Sequence, residues 1–483
     1  METIGLIIGG SDCPASDRRT FDRANPITRE LATRAAAASI ADAERAADAA
    51  AAAFVNWSDM APNQRRKLLS ASADALEGAA DDIVEAMATE IGATETWARF
   101  NVKLAADMLR EAASMTTQIA GQVIPSNRPG SLAMAIRQPA GVVLSIAPWN
   151  APVILGVRAL AMPLACGNTV VMKSSEICPR THRLVVDAVR SSGLPDGVLN
   201  LVSNAPEDAG TLVEALIAHP AVRRVNFTGS TRVGRVIAET AARHLKPVLL
   251  ELGGKAPLIV LDDADIDQAV GAAAFGAFMN QGQICMSTER IIVDNKIADT
   301  FVAELAAKAR SLTSGEPRSG NCPLGSVVDE TAAQRLRELV NDAVEKGADL
   351  VAGGGIQGTI MEATVLDKVT PTMKIYSDES FGPVVSVVRS GSLDESVRIA
   401  NDTEYGLSAA VFGKDTMRAL SVARRIQSGI CHINGPTVHD EAQMPFGGVK
   451  ASGYGRFGGQ AAIEEFTELR WITMQDGPVH YPI

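Results

Sequence analysis

Residues 141–252 of this 483-residue chain alternate between short apolar runs and helical stretches, and that alternation admits few folds. Gly141-Val142-Val143-Leu144-Ser145-Ile146 is a continuous apolar run, as expected of a buried parallel strand. Asn168-Thr169-Val170-Val171-Met172-Lys173, Val198-Leu199-Asn200-Leu201-Val202, 222–227 and 247–252 read as further strands. Segments 153–164, 180–191, 207–217 and 231–244 between them read as helices. Parallel strands need crossover connections, so strands joined by helices through short loops predict a parallel sheet covered on both faces. The pattern resumes after Lys255, with a strand at 258–261, a helix at 266–279 and a strand at Ile291-Ile292-Val293.

A chain of 483 residues is too long for one core, so two or three domains are expected. Residues 28–115 are rich in Ala and charged residues and predict packed helices, one of them at 64–91. Segments 122–138 and 466–483 are β-rich and break the α/β pattern. Residues 316–323 and the cluster Gly353-Gly354-Gly355 read as turns. A net charge of -11 argues against nucleic acid or an anionic membrane as partner. The 6 cysteines form no CxxC pair and the 6 histidines are isolated, which argues against a disulfide framework or metal cluster and fits a reducing compartment. Gly5-Leu6-Ile7-Ile8-Gly9-Gly10 is too short for a signal segment, and no run approaches the ~18 apolar residues of a membrane span.

Several strand ends carry residues suited to chemistry. The strand 222–227 runs into Thr228-Gly229-Ser230-Thr231-Arg232-Val233-Gly234. A glycine turn between strand and helix aims backbone N–H groups and the helix dipole at a phosphate, although many such turns carry Gly for geometry alone. Lys173-Ser174-Ser175-Glu176 and Pro148-Trp149-Asn150 also close strands, where parallel sheets bind ligands. Glu251-Leu252-Gly253-Gly254-Lys255 ends another strand, 34 residues ahead of Cys285 in Asn280-Gln281-Gly282-Gln283-Ile284-Cys285. A carboxylate base and a turn-borne cysteine suit acyl chemistry, in which a thiolate attacks and water must later be activated. Either residue alone reads as a solvated charge or an inert thiol.

Together these segments resemble the aldehyde dehydrogenase superfamily, whose signatures read E-L-G-G-K and Gly-Gln-x-Cys. The likeness extends to Glu379-Ser380-Phe381-Gly382-Pro383, Ile433-Asn434-Gly435 and Pro445-Phe446-Gly447-Gly448. It implies a Rossmann-like dinucleotide-binding domain over 1–121 and 141–250, a second α/β catalytic domain over 251–465, and β oligomerisation segments at 122–140 and 466–483. In the family such segments pair into an intersubunit sheet, so a dimer or tetramer in the cytoplasm is expected. The resemblance gives Cys285 as nucleophile, Glu251 as base and Asn150 as oxyanion donor. Cofactor contacts would come from Lys173 and Glu176 on the adenosine ribose, Gly229, Ser230 and Gly234 around the pyrophosphate, and Trp149, Glu379 and Phe381 near the nicotinamide ribose and ring. A carboxylate at Glu176 favours NAD over NADP. No metal is called for.

Alignment to the family places Trp97, Leu155, Arg158, Ile284, Met286, Val438 or His439, and Phe446 near the aldehyde entrance. Many relatives hold an aromatic residue where Arg158 stands; Arg there resembles the bacterial aromatic-aldehyde group, the salicylaldehyde-oxidising branch above all, with the vanillin and benzaldehyde branches next. Without the family, Arg158 reads as a surface helix charge. Two further readings stand beside this one. An acylating enzyme that passes the acyl group to coenzyme A commonly lacks the E-L-G-G-K Glu, and a non-catalytic protein on the same fold usually loses the nucleophile; Glu251 and Cys285 argue against each in turn.

Overall fold

The computed structural model describes residues 3–319 and 322–483. Two sheets carry the α/β pattern. The first has eight strands in the order Ser11–Cys13, Leu6–Ile8, Leu199–Val202, Thr169–Lys173, Val142–Ile146, Val222–Thr228, Val248–Glu251, Gly453–Tyr454. Its five middle strands are parallel and the flanking ones antiparallel. The helices Pro152–Ala165, Pro179–Ser191, Ala209–Ala218 and Thr231–Arg243 make the crossovers. Strand order reverses beside Val142–Ile146: the chain first builds outward through Thr169–Lys173 and Leu199–Val202, then returns to the other side at Val222–Thr228. Pro148-Trp149-Asn150 and Thr228-Gly229-Ser230 thus leave adjacent strands at the switch point, where an open parallel sheet offers a crevice.

The second sheet has seven strands, in the order Asp349–Ala352, Thr364–Asp367, Val384–Ser390, Thr288–Asp294, Ala256–Val260, Ser408–Phe412, Ile430–Ile433. All neighbours are parallel except the first pair. Leu252-Gly253-Gly254-Lys255 is the whole connection between Val248–Glu251 in one sheet and Ala256–Val260 in the other, so the two sheets meet at that motif. The chain returns to the first sheet at Gly453–Tyr454, antiparallel to Leu250 and Glu251.

Segments 122–138 and 466–483 come together in a third sheet. Gln122–Ile124, Ser131–Pro139 and Thr467–Gln475 are its antiparallel strands, the last two paired from Ser131↔Gln475 to Pro139↔Thr467. Residues 28–115 hold the helices Ile40–Ser58, Pro62–Gly78, Ala80–Ile91 and Glu95–Met115, preceded by a strand pair, Thr20–Ala24 with Leu31–Ala36. The single helix expected over 64–91 is two, parted at Ala79 (φ -91°, ψ 8°) after Gly78. Gly353-Gly354-Gly355 is a turn, with Gly353 and Gly354 in the left-handed region (φ 70° and 95°). In the turn expected at 316–323, residues 320–321 lie outside the described residues.

Candidate active site

A cleft of about 310 Å³ opens at the switch point, between the two sheets. Its walls bring together Trp149, Asn150, Leu155, Gly229, Ser230, Glu251, Cys285, Glu379 and Phe381 from six separate segments, with Arg335 added from the helix Glu330–Glu345.

The cysteine's position follows from its turn. The helix Ile266–Phe278 ends, and Asn280, Gln281 and Gly282 then adopt left-handed backbone in succession (φ 49°, 54° and 67°). Such conformations cost roughly 1–2 kcal/mol at each non-glycine residue. Their side chains hold them. The Gln281 side chain accepts from Gly325 N–H at 2.9 Å and donates to Ser326 C=O at 3.0 Å. Gln283 accepts from Val328 N–H at 2.9 Å, and Asn280 donates to Asn150 C=O at 3.0 Å. A Cβ on Gly282 would lie 2.1 Å from the Gly382 carbonyl oxygen, so glycine is required there. The amide-rich sequence around the cysteine is therefore a set of clamps.

The glycines of Glu251-Leu252-Gly253-Gly254-Lys255 allow close approach. A Cβ on Gly254 would meet the Cys285 carbonyl oxygen at 2.3 Å, and one on Gly253 the Glu379 carboxylate at 2.8 Å. The Gly254 N–H donates to Glu379 Oε1 at 2.8 Å. Lys255 is fully buried; it pairs with Glu289 at 2.7 Å and donates to Asp378 C=O at 2.8 Å. Glu289 also accepts from the N–H groups of Ser380 and Phe381, both at 3.0 Å, and from Ser380 Oγ at 2.8 Å. Phe381 is left-handed (φ 48°) and meets Trp149 edge-on, ring centroids 5.8 Å apart. Arg335 donates to the Glu379 carbonyl at 2.8 Å and to that of Ser380.

Burial sets the electrostatics. It raises the Glu251 carboxyl to about 7, against a smaller opposing pull from the Arg158 charge. No nitrogen or oxygen donor of the protein reaches either Glu251 oxygen, and the side chain that lowers its carboxyl as a hydrogen-bond donor is the Cys285 thiol. Burial, and next the Glu251 charge, push the Cys285 thiol well above its ordinary value, with Arg158 again opposing. Glu379 is raised to about 7 by burial and then by the charge of Glu289. Glu251 and Cys285 thus share one cleft wall, and the Arg158 charge acts on both.

The remaining expected residues divide. Asn150 lines the cleft; one amide hydrogen donates to Gln283 C=O at 2.9 Å, and an Asn amide has a second to give. Trp97 lies behind it, its indole N–H donating to Asn150 C=O at 3.0 Å. Ser230 caps the helix Thr231–Arg243, accepting from Val233 N–H at 3.4 Å, which leaves its hydroxyl hydrogen free. Gly234 is not on the cleft wall; it packs on Leu252, 2.5 Å from where its Cβ would stand. Lys173 and Glu176 pair at 3.0 Å at the end of their strand, over a buried His182 held down to about 3 by burial and by Lys173. Ile284 and Met286 are buried on either side of Cys285.

Arg158 sits one helical turn from Leu155 and is only 7 % exposed, so it is no surface charge. It forms an ion pair with Asp440, and its guanidinium carbon lies 4.0 Å from the centre of the Phe446 ring. Asp440, Arg335 and Glu289 escaped the sequence reading. The one available signal for Asp440 was that a buried arginine demands a carboxylate. His439 points outward: its side chain is 49 % exposed, pairs with Glu441 at 3.0 Å and stacks edge-on against His432. Alternation along 438–440 turns Val438 and Asp440 inward and His439 out. Among the described residues no group of three His, Cys, Asp or Glu side chains is arranged to hold a metal, and no helix is long and apolar enough to cross a membrane.

Residues 13–472 match the model of the aldehyde dehydrogenase family. The chain is 62 % identical to a vanillin dehydrogenase of Pseudomonas fluorescens over 483 residues, all of both proteins. It is 51 % identical to a salicylaldehyde dehydrogenase of Pseudomonas putida over 478 residues, 99 % of each. The crystal structure of a salicylaldehyde dehydrogenase from Pseudomonas putida G7 complexed with salicylaldehyde superposes at a TM-score of 0.98, with 50 % identity and full coverage of both chains.

Proposed function

This chain belongs to the aldehyde dehydrogenase family, and from that premise we propose that it oxidises ring-hydroxylated benzaldehydes to carboxylic acids with NAD. The observation that carries the reading is the pairing of Glu251, titrating at about 7, with Cys285 in one buried cleft. A base poised near the working pH is what proton transfer from a buried thiol requires. Ionised Glu251 takes the thiol proton, and the thiolate attacks the aldehyde carbon. The oxyanion that forms is met by the Cys285 N–H and the free amide hydrogen of Asn150. NAD, when bound, supplies the hydride acceptor that turns the thiohemiacetal into a thioester. Once Glu251 has passed the thiol's proton to solvent through the cleft, its carboxylate deprotonates the water that releases the acid and frees the Cys285 thiolate, and no metal takes part.

The residues present fit a dinucleotide. Gly229 and Ser230 open a helix at the switch point, so N–H groups and a hydroxyl donor face a pyrophosphate there. Lys173 and Glu176 suit ribose hydroxyls, and the Glu176 carboxylate disfavours a 2′-phosphate. Glu379 is the partner for the second ribose, and Phe381 braced on Trp149 makes the nicotinamide wall. Residues 1–121 with 141–250 form the dinucleotide-binding part and 251–465 the catalytic part. Segments 122–140 and 466–483 serve self-association as dimer or tetramer, in the cytoplasm.

The relatives named for vanillin and salicylaldehyde both act on hydroxybenzaldehydes, and Arg158 beside the nucleophile suits a ring with a polar substituent. A panel of aldehydes followed by NADH absorbance tests the reading. Vanillin, salicylaldehyde and benzaldehyde are expected to exceed acetaldehyde in kcat/KM by well over tenfold, with NAD preferred to NADP. Short aliphatic aldehydes as the better substrates would overturn the aromatic assignment.

A further inference from the structure

Arg158 is a buried cation one helical turn along from Leu155 of the cleft wall, and a free guanidinium in that place would make a receptor for a second anionic group on the aldehyde. It is not free. Its side chain and that of Asp440 are 6 % and 9 % exposed and form an ion pair, with the guanidinium carbon 4.0 Å from the centre of the Phe446 ring. Both line one cavity with Met162 and Phe446, and Asp440 continues into the wider mouth beside Asp107, Glu111 and Glu441. Across cavity and mouth, four carboxylates (Asp107, Glu111, Asp440, Glu441) stand against two guanidiniums, Arg110 and Arg158. Arg110 is itself paired with Asp74 and Glu77.

We propose that Asp440 is a specificity-determining residue: by neutralising Arg158 it confines the enzyme to aldehydes whose ring bears uncharged substituents, and bars those that carry a carboxylate. The proposal rests on the aromatic-aldehyde reading and deepens it. A phenol or methoxy group reaches an arginine whose charge is already compensated and accepts a hydrogen bond from its remaining N–H groups. A carboxylate meets the same arginine with Asp440 in its way and an acidic mouth behind. The influence of Arg158 on both Cys285 and Glu251 agrees with its standing within range of a ring held at the nucleophile.

The test uses a matched pair, benzaldehyde and 4-carboxybenzaldehyde, so its outcome does not depend on whether aromatic aldehydes outrun aliphatic ones. The wild-type enzyme is expected to disfavour the carboxylated substrate by more than tenfold in kcat/KM. Asp440→Asn, nearly isosteric, is expected to raise the carboxylated-to-neutral ratio tenfold or more, chiefly through KM. The Arg158→Gln/Asp440→Asn double variant is expected to lose that gain. An unchanged ratio in folded Asp440→Asn, or a gain that persists in the double variant, overturns the proposal. Arg158→Gln alone supplies a check should Asp440→Asn not fold. If it costs the wild type selectively more than tenfold on 4-carboxybenzaldehyde, Arg158 already receives anions and the proposal fails; equal effects on both substrates support it. If vanillin and benzaldehyde prove poorer than acetaldehyde while the ratio still responds to Asp440, the aromatic reading fails and this one stands.

Discussion

At Cys285 burial works against reactivity, since the dry surroundings that sharpen every dipole also hold the thiol protonated. On the mechanism proposed, the counterpart is Glu251, whose carboxyl suffers the same burial and is raised to about 7. Cys285→Ala is expected to abolish oxidation while leaving NAD affinity, read by quenching of tryptophan fluorescence, within about twofold. Glu251→Gln is expected to slow both the NADH burst, since the thiol loses its base, and the thioester hydrolysis that follows; full steady-state rate in that variant removes Glu251 from the mechanism. The raised carboxyl also marks stability. Its unfolded value is near 4.5 and its folded value about 7, so the folded form holds the extra proton between them and stability falls as pH rises through that window. Above pH 7 the loss amounts to about 3 kcal/mol at ~1.4 kcal/mol per pH unit. Glu251→Gln is therefore expected to melt higher than the wild type at pH 8, with the gap closing toward pH 5. Glu251 and Cys285 were legible because each ends a recognisable motif. Asp440 was not, standing 282 residues from Arg158 with no motif of its own; only folding reveals which carboxylate a buried arginine finds.

The strands of residues 142–251 could be read directly because burial on both faces makes most of their residues apolar, with Arg223 and Arg224 of Val222–Thr228 among the exceptions. Thr20–Ala24 and Leu31–Ala36 could not, for TFDRA and LATRAA carry charges and small residues and owe their extended state to each other. The left-handed run at Asn280-Gln281-Gly282 was equally hidden, since its amide side chains act on backbone 43–45 residues away. Gly282→Ala is expected to cut kcat at least a hundredfold by driving the turn off the Gly382 carbonyl, with Cys285 still present to titration by a thiol reagent. Wild-type kcat in that variant would show that the turn adapts. Gly253→Ala crowds the Glu379 carboxylate instead. It is expected to weaken NAD binding about tenfold by calorimetry while the alkylation rate of Cys285 stays near that of the wild type.

On the scale of the whole molecule, the three-stranded sheet leaves Leu469, Trp471 and Met474 at 62 %, 76 % and 59 % exposure. A patch of that kind suits burial against a second copy. Leu469→Glu with Trp471→Glu is expected to shift the mass measured by light scattering to a smaller species; an unchanged mass moves the interface elsewhere. The β character of Ser131–Pro139 and Thr467–Gln475 was readable from composition, though the expected β tail stops at Gln475 and not at 483; their register was not readable, because nine residue pairs are fixed only when the two strands meet. That meeting joins Ser131 to Gln475 and Pro139 to Thr467, across more than two-thirds of the chain. The edge strand Gly453–Tyr454 likewise arrives late to the sheet that holds Glu251. On a ribosome, the strand Ser131–Pro139 emerges long before its neighbour exists and must wait with an unpaired edge while most of the remaining sequence is made. The sheet cannot close until Thr467–Gln475 has been made, so the waiting strand is where a chaperone has the most to protect.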